Sequence, residues 1–248
     1  MTGSSDADGL DPHDGGVHVD FQRPFSAPEG AQEVVLVRHG SVVSPTPVVP
    51  GAPLGRQNDP PLDERGRAQA AAVAVRLEEE PIGGIFVTPL KRTVETAEPL
   101  LARNGFEARM SEDLREVELG DWEHGELSRR AAVGDPEFQR VMREQRWELI
   151  PNAEPAAAFA ERVERGMNEV ASASGPDSVA VVYTHSAVIA EACRLITGST
   201  PFAFLTVANC SLTRLVRMPT GRWVLVAFNE TAHLPLEWQP RRRGDRDA

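Results

Sequence analysis

The chain is 248 residues long, 41% hydrophobic and 25% charged, an ordinary globular composition with enough apolar mass for one substantial core. A net charge of −11 with no evident basic face argues against nucleic-acid or anionic-membrane partners. No apolar stretch approaches the ~20 residues of a membrane span, and two isolated cysteines, Cys193 and Cys210, are too few for a disulfide framework or a zinc site.

Residues 1–31 are Asp- and Gly-rich, without hydrophobic periodicity, and read as a disordered arm. They show no charged-then-apolar leader pattern, so a cytoplasmic location is expected. A strand is predicted over Glu33–Val37, followed by a long Pro- and Gly-rich loop, Ser41–Pro61. A helix should start at Asp63, a suitable N-cap, and run through Leu77. Next come a strand at Gly84–Val87, a helix from Pro89 to Arg103 and a short strand at Glu107–Met110. Phe138–Trp147 reads as a helix outside the repeat, and Ala156–Ala173 as a long helix. A β-branched strand, Val179–Tyr183, leads into a helix through Ile196. Leu212–Arg217 and Arg222–Phe228 alternate as an antiparallel pair around Pro219-Thr220-Gly221. From Gln239 the chain is polar again. Strands alternating with helices imply a three-layer α/β/α sandwich. Its sheet should be mostly parallel with one antiparallel edge strand. One domain is expected over 32–238, with a flexible tail at 239–248.

Two of these strands end on a histidine: Arg38-His39-Gly40 after Val34-Val35-Leu36-Val37, and Thr184-His185-Ser186 after Val179–Tyr183. In open α/β sheets ligands bind at the carboxyl ends of the strands. Were these strands neighbours, two imidazoles and a guanidinium would share one small volume, a set able to attack and neutralise a phosphoryl group. Thr88-Pro89-Leu90-Lys91-Arg92 puts another arginine in the first turn of a helix at the same edge, where helix N-termini favour anions. Lys91 is the only lysine among 26 basic residues, so a single arginine carries less information here than usual. Leu114-Arg115-Glu116-Val117-Glu118 through Glu123 is dense in carboxylates. One of them near the site could protonate a leaving alkoxide.

Taken together these blocks resemble the histidine phosphatase superfamily, the phosphoglycerate-mutase-like fold, over roughly residues 33–234. The motifs are Leu36–Gly40, Asp59–Ala70, Thr88–Thr93 with Thr96-Ala97, Leu114–Glu116 with Gly120–Glu123, Pro151–Glu154, and Thr184-His185, in the family's order. The resemblance implies His39 as phosphate acceptor, Arg38, Arg92 and His185 as the phosphoryl-oxygen pocket, and Glu116 as proton donor. Ser41, Gln57 and Ser186 are candidate substrate contacts. Ser186 stands where the family usually has Gly. Leu54 precedes Gly55 where many relatives have a polar residue, and Gln57 is its candidate replacement. No metal or cofactor is expected. The expected function is hydrolysis of a small phosphorylated metabolite through a phosphohistidine, with homodimerisation allowed.

The alternatives are mutase-type phosphoryl transfer, a non-catalytic binding protein retaining the fold, and a glycosidase using Glu116 and Glu118. The last would leave both histidines idle. Asp121-Trp122-Glu123-His124-Gly125 replaces the mutases' Glu-Arg-His-Tyr-Gly block, favouring a phosphatase. One difficulty is visible at this level. His39 must be neutral to attack while Glu116 must hold a proton, yet ordinary pKa values, ~6.5 for His and ~4.3 for Glu, run in the opposite order. Burial and local charge are expected to move them.

Overall fold

The computed structural model describes residues 25–43 and 57–240. Most of the expected arm, the loop interior with Leu54 and Gly55, and the tail from 241 lie outside the described residues. Of the arm's end, Ala31 is buried, and its carbonyl accepts from the Asp177 amide at 3.0 Å.

Six strands form one sheet, in the order β3-β2-β4-β1-β5-β6. The first four are β1 (Gln32–Arg38), β2 (Ile82–Val87), β3 (Ala108–Met110) and β4 (Val179–Thr184). They run parallel. The antiparallel part is a hairpin of β5 (Leu212–Arg217) and β6 (Trp223–Glu230). β5 opposes β1, so the one reversed strand lies one position in from the edge.

Strand residues alternate between two cores, as the pleat requires. Val35, Val37, Val181 and Tyr183 face α1 (Glu64–Leu77) and α2 (Lys91–Asn104). Val34, Leu36, Ala180 and Val182 face α5 (Ala156–Ser174) and α6 (Ser186–Thr197). β1 and β4 are covered on both faces, which is why they read as unbroken apolar runs. α3 (Glu126–Ala132) and α4 (Pro136–Glu144) lie outside the repeat. There Trp122, Val141 and Ile150 make a separate small core.

Local chemistry sets the element starts. Asp63 caps α1, its carboxylate accepting from the Gly66 amide at 2.7 Å. Gly66 is required for a different reason: a Cβ there would sit 1.9 Å from the Ser41 carbonyl. The start of α1 therefore presses directly on the turn that follows His39. α2 begins at Lys91 rather than Pro89, with Leu90 as an uncapped N-cap.

Candidate active site

The register of the central pair builds the core of the site. Val37 pairs with Tyr183 and Arg38 with Thr184, so His39 and His185 emerge side by side, one residue past their strands. The His39 amide donates to the Thr184 carbonyl at 3.0 Å. The two imidazole centroids are 5.4 Å apart. Arg92 arrives from the first turn of α2, and its Nε donates to His185 Nδ1 at 3.3 Å. His39 and Arg92 are 7% exposed and His185 is fully buried. Polar atoms this deep need partners, and the partners fix each group's role.

His39 Nδ1 lies 2.8 Å from the Gly40 carbonyl. A carbonyl only accepts, so the proton is on Nδ1, and in the neutral ring the free lone pair is on Nε2. Asn209 steadies the same residue by donating from Nδ2 to the His39 carbonyl at 2.8 Å. The Gly40 amide donates to Thr96 Oγ1 at 3.0 Å. Burial, reinforced by the charges of Arg38 and Arg92, holds His39 well below the usual imidazole range.

His185 has the complementary tautomer. Its Nδ1 accepts from Arg92, so its proton lies on Nε2 and is donated to Thr88 Oγ1 at 2.9 Å. Thr93 Oγ1, 2.9 Å from Thr88 Oγ1, continues the chain and donates onward to the Leu90 carbonyl at 2.8 Å. Burial first, then the charge of Arg92, keeps His185 neutral as well.

Arg38 donates from Nη1 to the Val207 carbonyl. Its Nε is buried with no acceptor among the described residues. An orphaned N–H of this kind costs ~1–3 kcal/mol, a cost that an incoming anionic oxygen would offset. Arg92 Nη1 donates to the Asn58 carbonyl at 2.7 Å.

Glu116 closes the site from the irregular segment after β3. Its carboxylate accepts from the Val117 amide at 3.1 Å, and the nearby Ala187 amide at the start of α6 also favours its ionised form. Ser186 Oγ lies 3.5 Å away. Burial raises its pKa, against the opposing charges of Arg92 and Arg38. The neighbouring carboxylates are committed elsewhere. Glu118 pairs with Arg115 at 2.6 Å, and Glu123 accepts from the Leu119 and Asn58 amides at 2.8 and 3.3 Å.

The five core residues expected from sequence thus share one volume. Of the three further candidates, Ser41 donates its hydroxyl to Asp63 at 2.7 Å. Gln57 Nε2 donates to the carbonyls of Glu116 and Val117 at 2.6 and 3.2 Å. Only Ser186 stands directly at the Glu116 carboxylate. Sequence reasoning gave no role to Thr88, Thr93, Asn209 or Arg162, whose contacts come from packing between distant segments. Among the described residues no cluster of three or more His, Cys, Asp or Glu side chains is arranged to hold a metal. None of the described helices is long and apolar enough to cross a membrane.

Comparison with known proteins gives a consistent picture. Phosphoserine phosphatase 1 of Hydrogenobacter thermophilus is 28% identical over 207 residues, 82% of this chain and 94% of that protein. A probable phosphoglycerate mutase of Yersinia enterocolitica is 26% identical over 214 residues, 82% of this chain and 95% of the relative. The solved structure of a mycobacterial glucosyl-3-phosphoglycerate phosphatase superposes with a TM-score of 0.65 at 26% identity, covering 81% of this chain and 100% of the other. Residues 34–231 match the model of branch 1 of the histidine phosphatase superfamily, and the chain belongs to that family.

Proposed function

We propose that the protein hydrolyses a small phosphate monoester through a phosphoryl group carried on His39 Nε2. The observation that carries this reading is the pairing of opposite pKa displacements with fixed tautomers. His39 is displaced downward with its lone pair on Nε2, and burial displaces the Glu116 carboxyl upward at the same site, each toward the form the chemistry uses. Both displacements run against the ordinary order of the two groups and so act on the difficulty visible in the sequence.

In the first step the Nε2 lone pair attacks phosphorus and the ester P–O bond breaks. The leaving oxygen takes the proton of Glu116. In the second, water attacks the phosphorus of phosphohistidine, Glu116 accepts the water proton, and inorganic phosphate leaves with Nε2 regenerated. Arg38 with its orphaned Nε, and Arg92, face the charge that spreads over the equatorial oxygens. His185, with Nε2 anchored on Thr88 and Nδ1 accepting from Arg92 Nε, orients that guanidinium toward the same region. Two guanidiniums supply the positive charge, so the reaction is proposed to run without a metal. Ser186 is the proposed rim contact, while Ser41 and Gln57 act through the groups they hold.

The relatives named for phosphoserine and glucosyl-3-phosphoglycerate place small phosphorylated metabolites first in a substrate screen. Mutase-type transfer would use the same phosphohistidine, and a relative named as a probable mutase keeps that reading in view. Product analysis separates the two. Stoichiometric free phosphate supports hydrolysis, whereas an isomerised phosphate ester with no net phosphate release contradicts it.

A further inference from the structure

After the short 3-10 turn Glu112–Leu114, the segment that carries Glu116 lies in no strand or helix. From Asp113 to Val117, five consecutive backbone carbonyls accept hydrogen bonds from side chains that are distant in sequence. Thr184 Oγ1 donates to Leu114 at 2.7 Å, and Gln57 holds Glu116 and Val117. The centre of the arrangement is Arg162, in the second turn of α5 and 5% exposed. Its Nη1 donates to the carbonyls of Asp113 and Arg115 at 2.8 and 2.7 Å, and its Nη2 to that of Glu116 at 3.0 Å. Nε and Nη2 donate to Glu154 at 2.6 and 2.7 Å. A guanidinium has five N–H donors, and all five are used. Glu154 is the counter-charge that lets Arg162 be buried, and it also accepts from the Glu118 amide at 3.3 Å. α5 comes close enough because residue 166 is glycine: a Cβ there would lie 2.8 Å from the Leu114 side chain.

We propose that Arg162, seated on Glu154, is the positioning residue for the Glu116 carboxyl. This rests on the reading of Glu116 as proton donor. Arg162 touches no reacting atom. It fixes the carbonyls on both sides of the Glu116 Cα, and so sets the place from which the side chain reaches the leaving oxygen. A planar fork of five donors is needed, so lysine is not an equivalent, although it keeps the charge opposite Glu154.

The test compares R162K with wild type on an alkyl phosphate and on p-nitrophenyl phosphate, whose leaving group needs little protonation. Misplacing an acid by about an ångström costs up to ~10²-fold. We expect a loss of that order for R162K on the alkyl ester, under about threefold on the aryl ester, and a displaced basic limb of the pH profile. In an E116Q background the same substitution should change alkyl turnover by less than about threefold, because the group it positions is no longer an acid. E154Q/R162M, which removes both buried charges, should show the same selectivity if R162K does not fold. Equal losses on both esters in R162K or in the double variant overturn the proposal alone. Equal losses in E116Q itself overturn the acid assignment, and with it this proposal.

Discussion

His39, Arg38 and His185 are placed by strand register, whereas Glu116 is placed by side chains that reach in from elsewhere. The β1–β4 ladder fixes the first three through backbone bonds that any apolar strand would make. The Asp113–Val117 segment has no ladder, and every one of its carbonyls is tied by Arg162, Thr184 or Gln57. The difference also divides the chemistry. In the proposed mechanism the register-built half meets the phosphoryl group, which all substrates share, and the tied half meets the leaving group, in which they differ. Changes in the first half should therefore affect every ester alike, and changes in the second should discriminate between esters.

The largest effect is expected at the nucleophile. H39A should lose essentially all turnover on every ester while keeping its circular dichroism spectrum. More than about a tenth of wild-type activity would mean that another group attacks phosphorus. Next come R92A, which should lose ~10²–10³-fold by the scale of deleted oxyanion donors, and H185A, which should lose up to that much by releasing the Arg92 guanidinium that His185 Nδ1 holds. They should do so equally on alkyl and aryl substrates; strong discrimination between the two would break the division. E116Q should behave in the opposite manner, with a severe loss on alkyl phosphates and a mild one on p-nitrophenyl phosphate. Equal losses would direct attention to Glu118 or Glu123.

A smaller effect is expected in the pH profile. The proposed mechanism needs His39 without a proton on Nε2 and Glu116 with its proton. His39 is displaced downward and Glu116 upward, so the rate should fall on the acid side as His39 protonates and on the basic side as Glu116 ionises. E116Q should abolish the basic limb and leave the acid one; an unchanged basic limb would assign it to another group. The smallest effect belongs to EDTA, which should leave the rate unchanged. Loss on chelation that zinc, magnesium or manganese restored would contradict a site whose positive charge comes from Arg38 and Arg92.

The same division explains what could be read from the sequence. Apolar runs bounded by turn residues revealed the strands, and the position of His39 and His185 at strand ends pointed to one shared site, where the structure brings them together. Glu116 stood out only through the family resemblance, because a carboxylate in an acidic stretch looks like solvated surface. Arg162 gave no signal. An arginine within an amphipathic helix of an Arg-rich chain reads as an exposed charge, and its five acceptors lie 8 to 49 residues away. α3 also went unseen, since it buries none of its residues and has no apolar stripe to detect. The reversed strand β5 was legible as half of a hairpin, but its seat beside β1 depends on a pairing across the whole domain. Ser41 is a candidate substrate contact by sequence, and its hydroxyl donates to Asp63, the cap of α1.

The phosphoryl-enzyme itself is the most direct test. Rapid mixing with excess p-nitrophenyl phosphate and quenching into base, where phosphohistidine survives, should give protein carrying a phosphoryl group on His39, identified by peptide mass spectrometry. The label should be lost on acid treatment and absent from H39A. Active enzyme that carries no phosphoryl group during turnover, or carries it on any residue other than His39, would contradict the account.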